Sequence, residues 1–560
     1  MLNQSPVRRS SVPRRATRGR AIFNLILISV LVLSGLGFAY GPRAVAMYQR
    51  YRATRPQTEA GDGLWQIVAT SPVRSIHAVF EDTGNILLMA GTGNNGSLGG
   101  KVVTNLPRSD YKAAVFNPRT MSFVSLSALW DVFCGGHVVL SDGNILVAGG
   151  TRKYELITGQ NKAKSQFEGV RNSAIFDVRT NRWIKTGPLN QARWYPTLVR
   201  TGSPSTVIAV SGLDQNGNID PGVTEEFGQK KLKWVVDKIP LRLFPTYPAL
   251  FQTAWKGWLF WSGANAGYGP TNINGARHPG LWNFRTGQFV PIDGLPQPRL
   301  NETAGTILLP PAQNQTFMFF GGGGAGDVQA LTARTAIVDL KSDHPHYVRG
   351  PNLDHAKRYP LGTILPNDTV LIAGGSGGYR ADDILSAEIY NPAANTMREV
   401  AGPEVGRDYH SEAILVNSGA VFYFGSNPLS NDNFFEMRVE EYQPPYFFEG
   451  PRPAITSSPA SAALGGTIRV HVRYNSKSPI TKIRLIAPSA YTHVTDTSQR
   501  SVAARILSQK NGWLTIQLPA NPNLLIPGYY MLFAVNARGL PSVAPWIHIS
   551  ATGGAGHRRD

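Results

Sequence analysis

Short apolar strands, each followed by a polar turn and a second apolar strand ending in glycine or serine-glycine, recur along most of this chain. The second strands fall at 85–91, 144–150, 206–212, 258–263, 317–322, 370–375 and 420–425. These units lie roughly 50 to 60 residues apart, close to the ~50-residue kelch unit, and self-similarity at that period predicts a radial β-propeller. Third and fourth strands are legible in several units, as in AIFDVRTNRWIKTGPL from Ala174 and GLWNFRTGQFVPIDGL from Gly280. One strand stands alone. LWQIVAT, at Leu64–Thr70, precedes the first unit and is expected to complete the last blade, which would remove the open edges a sheet must otherwise protect. After PPYFFEGPRP the rhythm changes, with short alternating strands at 467–474, 482–486, 513–518 and 529–536 that fit an immunoglobulin-like β-sandwich.

The 58 glycines and 40 prolines suit many short strands joined by tight turns, and 42% hydrophobic residues against 16% charged suffice for a large core. The first twenty residues carry Arg8, Arg9, Arg14, Arg15, Arg18 and Arg20 and no acidic residue, and residues 21–40 are apolar without a charge. That run is long enough to span a bilayer, and the arginines before it favour a cytoplasmic N-terminus. The expected organisation is therefore a basic cytoplasmic tail (1–20), a transmembrane helix (21–40) and a linker (41–63). A seven-bladed propeller (64–450), a sandwich (451–552) and a short tail (553–560) follow. The small residues Ala44, Val45 and Ala46 leave a cleaved signal open, and the paired arginines leave twin-arginine export open. Net charge is +19, from 55 basic and 36 acidic residues, so the exported body is basic as well. Anionic envelope polymers or lipid headgroups are the natural counter-charges on the far side of a membrane. Nucleic acid is not an expected partner, and the chain is expected to act as a monomer.

Cys134, in FCGGHVVLSDG, is the single cysteine. It cannot form an internal disulfide, which leaves packing or chemistry. In a propeller the innermost strand of each blade lines the axis, so the starts of these strands converge. They read SIHAVF from Ser75, FCGGHV from Phe133, RWYPTL from Arg193, PTYPAL from Pro245, NETAGT from Asn301, KRYPLG from Lys357 and RDYHSE from Arg407. Cys134, Tyr195, Tyr409 and His410 thus gather at one end of one axis, while Tyr247 and Tyr359, at like positions, can be structural. His137 is expected to face away from Cys134 as a packing or hydrogen-bonding residue. His77 opens the first inner strand and is a candidate support for the site, and His548 is expected in the core.

The segments FCGGH at Phe133, RWYPT at Arg193, RDYHS at Arg407, THVTDTSQR at Thr492 and PGYYMLFAVNARGLPSVA at Pro527 together resemble the copper radical oxidases, the galactose oxidase and glyoxal oxidase family. The resemblance implies one copper per chain and a thioether joining Cys134 to Tyr195, a modified tyrosine that ligates copper and stores a radical. It implies His410 and His493 as equatorial ligands and Tyr409 as the axial one; imidazole and phenolate suit Cu(II). It further implies oxidation of a small alcohol, aldehyde or glycan, with O2 reduced to H2O2. His493 lies in the sandwich segment, so a loop of that domain must reach up the propeller channel. Tyr409 and His410 are sequence neighbours, which a regular strand would point to opposite faces. Family members also shield the modified tyrosine with an aromatic ring. The loop that carries it in galactose oxidase reads SGLDQNGN here, without one, leaving Trp194, Trp261, Tyr268 and Trp282 as candidates.

Two other classes remain in view. A membrane-anchored propeller that only binds surface glycans would explain the repeats but not the thiol or His493. A sialidase-like hydrolase would draw on Arg193, Arg358, Arg407, Asp408 and Glu302.

Overall fold

A computed structural model describes residues 59–158, 162–203, 206–236, 240–267, 269, 277–325, 330–428 and 435–551. The expected membrane span at 21–40 lies outside these residues, as does Tyr268. Among the described residues no helix is long and apolar enough to cross a membrane. The fold is all-β: seven antiparallel blades followed by a sandwich-like C-terminal domain.

Each blade runs outward from an inner strand. The inner strands, in chain order, are His77–Phe80, Gly136–Val139, Thr197–Arg200, Leu250–Gln252, Gly305–Leu308, Leu361–Ile364 and Ser411–Leu415. Leu64–Thr70 pairs antiparallel with Arg438–Gln443 as the outermost strand of the seventh blade, so the chain's start and the propeller's end share one sheet. Trp65 fastens this closure. It is 3% exposed, stacks on Tyr442 with ring centroids 4.8 Å apart, and its indole N–H donates to the Ala401 carbonyl (2.5 Å). Truncating a buried indole of this size costs about 3–5 kcal/mol.

The glycines that end the second strands have a steric cause. A Cβ on Gly149 would sit 2.4 Å from the Arg193 carbonyl oxygen of the next blade, and one on Gly425 would sit 2.1 Å from that of His410; both glycines also hold positive φ. The repeating signature in the sequence therefore marks where neighbouring main chains touch.

In the C-terminal domain, the ten-residue strand Ser501–Lys510 pairs with Ile480–Ile486 through its first half and with Trp513–Gln517 through its second, joining two sheets. This domain bonds to the inner part of every blade. From blade one, the Phe80 amide donates to the Ser489 carbonyl (2.9 Å), and in blade two the Ser141 carbonyl meets His548 Nε2 (3.0 Å). In blade three the Leu198 carbonyl accepts from the Thr497 hydroxyl (3.2 Å), and in blade four that of Ala254 accepts from the Asn521 amide (2.8 Å). Gln313 of blade five exchanges two hydrogen bonds with the Ala503 main chain, and Asn417 of blade seven does so with Ala544. His548 is accordingly a half-buried seam residue and not a core one.

At blade six, Asp368 receives two hydrogen bonds from Arg484 (2.6 Å each) and lies 2.9 Å from Lys482. The carboxyl loses solvent on burial, yet these cations hold it below the ordinary value. Such a pair contributes stability above the unfolded pKa near 3.9 and loses it as pH falls through the lower folded value. Asp368→Asn leaves a nearly buried guanidinium without its anion. It is expected to lower stability by about 3 kcal/mol and to flatten the acid limb of the denaturation midpoint against pH, measured by calorimetry on the full chain.

Candidate active site

Six blades place a non-glycine residue of left-handed φ just before or at the start of the inner strand: Cys134 (60°), Tyr195 (64°), Tyr247 (45°), Thr303 (57°), Tyr359 (57°) and His410 (61°). Conformations of this kind cost about 1–3 kcal/mol each and persist only where surroundings enforce them. Here the enforcement is a collar of main-chain bonds. The Tyr195 amide donates to the Cys134 carbonyl (2.9 Å), Tyr247 to Tyr195 (2.9 Å) and Tyr359 to Thr303 (3.0 Å), each across a blade boundary. The same collar answers the neighbour problem. Arg193 and Arg407, two residues before Tyr195 and Tyr409, both offer carbonyls to a glycine of the preceding blade, so the two tyrosines share a register. In blade seven, however, the left-handed residue is His410, one step later, and the strand begins only at Ser411. Tyr409 and His410 therefore turn inward together, ring centroids 3.7 Å apart.

His493 arrives from the other domain. Ala490–Thr492 adds to the inner strand of blade one as a fifth strand, with His77 opposite Thr492 and Val79 opposite Ala490. The chain then reverses at once: Thr492 and Thr495 exchange amide-to-carbonyl bonds (3.0 and 2.8 Å), while His493 (φ 47°) and Val494 (φ 64°) occupy the turn. Two positive φ values are the signature of a type I′ turn, which favours asparagine and glycine; a β-branched valine there is an outlier. The strain puts His493 at the tip.

At that tip the sulfur of Cys134 and one nitrogen each from His410 and His493 lie within 4.8 Å of one another, all buried. Cys134 Sγ is 3.7 Å from His493 Nε2, and Tyr195 lies close enough to act on the thiol. The Tyr195 and Tyr409 hydroxyls are in direct contact. The Thr492 hydroxyl donates to the Ile76 carbonyl (3.1 Å), so toward His493 Nδ1 (2.6 Å) it accepts, placing the ring proton on Nδ1 and the lone pair on Nε2. The Asn427 amide meets His410 Nδ1 (3.3 Å), while His410 Nε2 is buried with no protein partner. An orphaned buried polar atom costs about 1–3 kcal/mol. Here it faces a set of donors that a Cu(II) ion would satisfy: two imidazole nitrogens, two phenol oxygens and a sulfur. Burial pushes both histidines well below their ordinary pKa, keeping them neutral, and raises both phenols and the thiol. A divalent cation at the same spot reverses that preference for the phenols.

The aromatic cover is Trp194. Its ring lies on Tyr195 at 3.6 Å and 5°, with Phe167 on its other face at 4.3 Å and 6°. Its indole N–H donates to Thr151 Oγ1 (3.2 Å). Trp261 and Trp282 are instead buried in the core that includes blade four. Tyr247 donates its hydroxyl to the Gly135 carbonyl (2.7 Å) and is structural. His77 and His137 lie together beneath the site, centroids 5.0 Å apart, with His77 6.0 Å from His493; His137 is buried as expected but has no hydrogen-bond partner among the described residues. Arg380, unremarked in the sequence, holds its guanidinium 4.6 Å from the Tyr409 ring centroid and donates from Nε to the Asn427 carbonyl (2.8 Å). It sits in a glycine-rich loop whose residue order carries no sign of that role. The basic residues considered for a hydrolase are internal braces: Arg193 is bound to Asp220 and Glu225, and Arg407 to Glu440, all without exposed side-chain surface.

Residues 452–549 match the galactose oxidase-like early set domain. A galactose oxidase of Gibberella zeae is 25% identical over 534 residues, covering 90% of this chain and 73% of that protein. The aldehyde oxidase GLOX1 of Arabidopsis thaliana is 31% identical over 213 residues, 33% of this chain and 34% of its own length. The chain is thus similar to galactose oxidases along most of its length and to plant aldehyde oxidases over a third of it. Its fold is that of a solved fungal alcohol oxidase in complex with copper, with TM-score 0.70 at 18% identity over 88% of this chain and all of that one. The Thr492 hydroxyl fixes the orientation of the His493 ring, which would make it the support of a metal ligand were an ion bound there. Supports of that kind alter metal affinity by about 10–100-fold. Thr492→Val is expected to weaken copper retention by that factor against a competing chelator, beyond the fall in thermal midpoint of the metal-free chain that loss of the bonds to Ile76 and His493 causes.

Proposed function

We propose that the chain is a copper-dependent oxidase that converts a primary alcohol or hydrated aldehyde to the next oxidation level and reduces O2 to H2O2. The observation that carries this reading is the cluster of Cys134, His410 and His493 around two touching phenol hydroxyls, with a buried histidine nitrogen facing it unpartnered. Tyr195, Tyr409, His410 and His493 would hold the ion, which when bound supplies one-electron redox chemistry and an open position for substrate.

Joining Cys134 Sγ to the ring carbon of Tyr195 beside its hydroxyl removes one hydrogen from each residue. The two electrons and two protons go to O2, giving H2O2. The closeness of Tyr195 to the thiol supports that bond. Sulfur on the ring lowers the potential at which Tyr195 gives up an electron, and the Trp194 face covers the product from solvent.

In turnover, Tyr409 would take the substrate hydroxyl proton, and Tyr195, as an oxyl radical left by one-electron oxidation by O2 in the preceding cycle, would take a hydrogen atom from the adjacent carbon. The second electron would be held by bound copper, and O2 would remove the two electrons and two protons as H2O2. The buried histidines remain neutral throughout, since burial holds their pKa down. The propeller's contribution is placement: three blades and one foreign loop set five side chains before substrate arrives. The basic N-terminal arginines and the apolar run at 21–40 support an anchored body outside the cytoplasm, where small alcohols, aldehydes and surface glycans are at hand.

Peptide mapping of copper-loaded, air-matured chain is expected to give a Cys134 peptide joined to a Tyr195 peptide, two hydrogens lighter than their sum. A free, alkylatable Cys134 after full metallation would overturn the cofactor. Cys134→Ser is expected to lose peroxide production by about 10³-fold or more on alcohols and aldehydes, as removal of a covalent redox group should, while still binding copper. Unchanged peroxide production in that variant would defeat the radical mechanism.

A further inference from the structure

Beneath the propeller, at the foot of the loop that carries His493, lies a cavity of about 20 Å³ as swept by the centre of a water-sized sphere. It sits in the seam, lined from the propeller by Val139 and Arg200 and from the C-terminal domain by Pro488, Ser498, Arg500 and Tyr529, among others. Two arginines line it and no carboxylate does, although Asp142, outside the lining, acts on Arg200.

Arg500 is 3% exposed. Its terminal nitrogens donate to the carbonyls of Asn523 (3.0 Å), Leu524 (3.2 Å) and Gln252 (3.2 Å), but its Nε is buried with no partner. Arg200 donates to the Pro527 carbonyl. Carbonyl dipoles satisfy hydrogen bonds yet bring no net negative charge. Arg193, Arg407 and Arg484 meet an aspartate or glutamate, and Arg334 is buried with hydrogen bonds to carbonyls and Asn301 alone; Arg200 and Arg500 differ from all four in lining one cavity together. Two like charges confined against one small cavity, one of them with an unmet donor, require a counter-charge or a large desolvation cost. Burial lowers the pKa of both groups, Arg200 to about 10, which still leaves each protonated at neutral pH.

We propose that this cavity binds one small inorganic anion of chloride's size, held between Arg200 and Arg500, and that the anion fastens the base of the His493 loop. Volume selects the ligand: the space suits one sphere slightly larger than water and excludes tetrahedral oxyanions. Placement gives the consequence, since Pro488 and Ser498 stand five residues before and after His493. An ion here links the propeller floor to both legs of the loop. The inference stands independently of the oxidase reading.

The test uses the full chain without copper, in sodium chloride and in sodium gluconate at equal ionic strength, gluconate being too large to enter. Chloride is expected to raise the thermal midpoint saturably, by roughly 2 °C or more. In crystals soaked in bromide, an anomalous peak is expected between the two guanidiniums. Arg200→Gln and Arg500→Gln are expected to abolish the chloride increment. Equal midpoints in the two salts, no bromide peak at this position in the unaltered chain, or a chloride increment that survives in Arg200→Gln would each overturn the proposal. Because the unaltered chain gives the first two readouts, a variant that fails to fold does not blunt the test.

Discussion

Three residues of main chain, Ala490–Thr492, hold the whole arrangement together by pairing with the inner strand of blade one. A propeller alone offers its axis only the starts of its own inner strands. Here the channel also admits a strand from a second domain, and sheet pairing is the one interaction that fixes such a segment along its length and about its axis at once. His77 opposite Thr492 sets the register, the Thr492 hydroxyl on Ile76 locks it, and the turn that follows can place His493 at a single height. The seam bonds from all seven blades exist to keep that strand seated. A domain docked less firmly would leave the imidazole free to wander by more than a metal site tolerates.

Strain is concentrated at the same place. Residues Cys134, Tyr195, His410, His493 and Val494 all adopt left-handed φ within one small volume, and none is glycine. Four of these positions carry the side chains that meet at the axis, and Val494 completes the turn that presents His493. The energy is offset by bonds between main chains of adjacent blades, which no single blade could form by itself. Closure of the ring by Leu64–Thr70 is therefore coupled to the chemistry. An open propeller would let the blades part, and the collar with them.

Burial then sets the protonation state. For His493 the Thr492 hydroxyl holds the ring proton on Nδ1 and leaves the Nε2 lone pair facing inward, whereas at His410 the Asn427 amide donates to Nδ1, so Nε2 carries the proton that a metal would displace. Phenols and thiol are held protonated by the same loss of solvent until a cation enters. A cation at this spot would engage His410 Nε2, which has no hydrogen-bond partner among the described residues. Arg380 above Tyr409 opposes burial at that phenol, favouring its ionised form on the side open to substrate.

Much of this was legible in residue order. The glycine-ended strands gave seven blades because main-chain crowding at blade boundaries leaves room for no side chain. The lone strand LWQIVAT closed the ring because a sheet edge needs a partner. Cys134, Tyr195, Tyr409, His410 and His493 stood out by motif, and the fold brings them together. The rest depended on contacts that local sequence does not encode. Trp194 could be named only as one of four possible covers, since stacking on its own neighbour follows from a left-handed turn at Tyr195 that no propensity favours. Arg380 and Asn427 come from loops whose composition is unremarkable. Tyr409 and His410 could share one site only with an irregular backbone or at a strand's extreme end, and a one-residue shift of the strained position in blade seven supplies that irregularity. Periodicity and steric punctuation act within a few residues and so are written in order along the chain; placement of a side chain by a turn, a collar or a second domain is decided only when distant main chains meet.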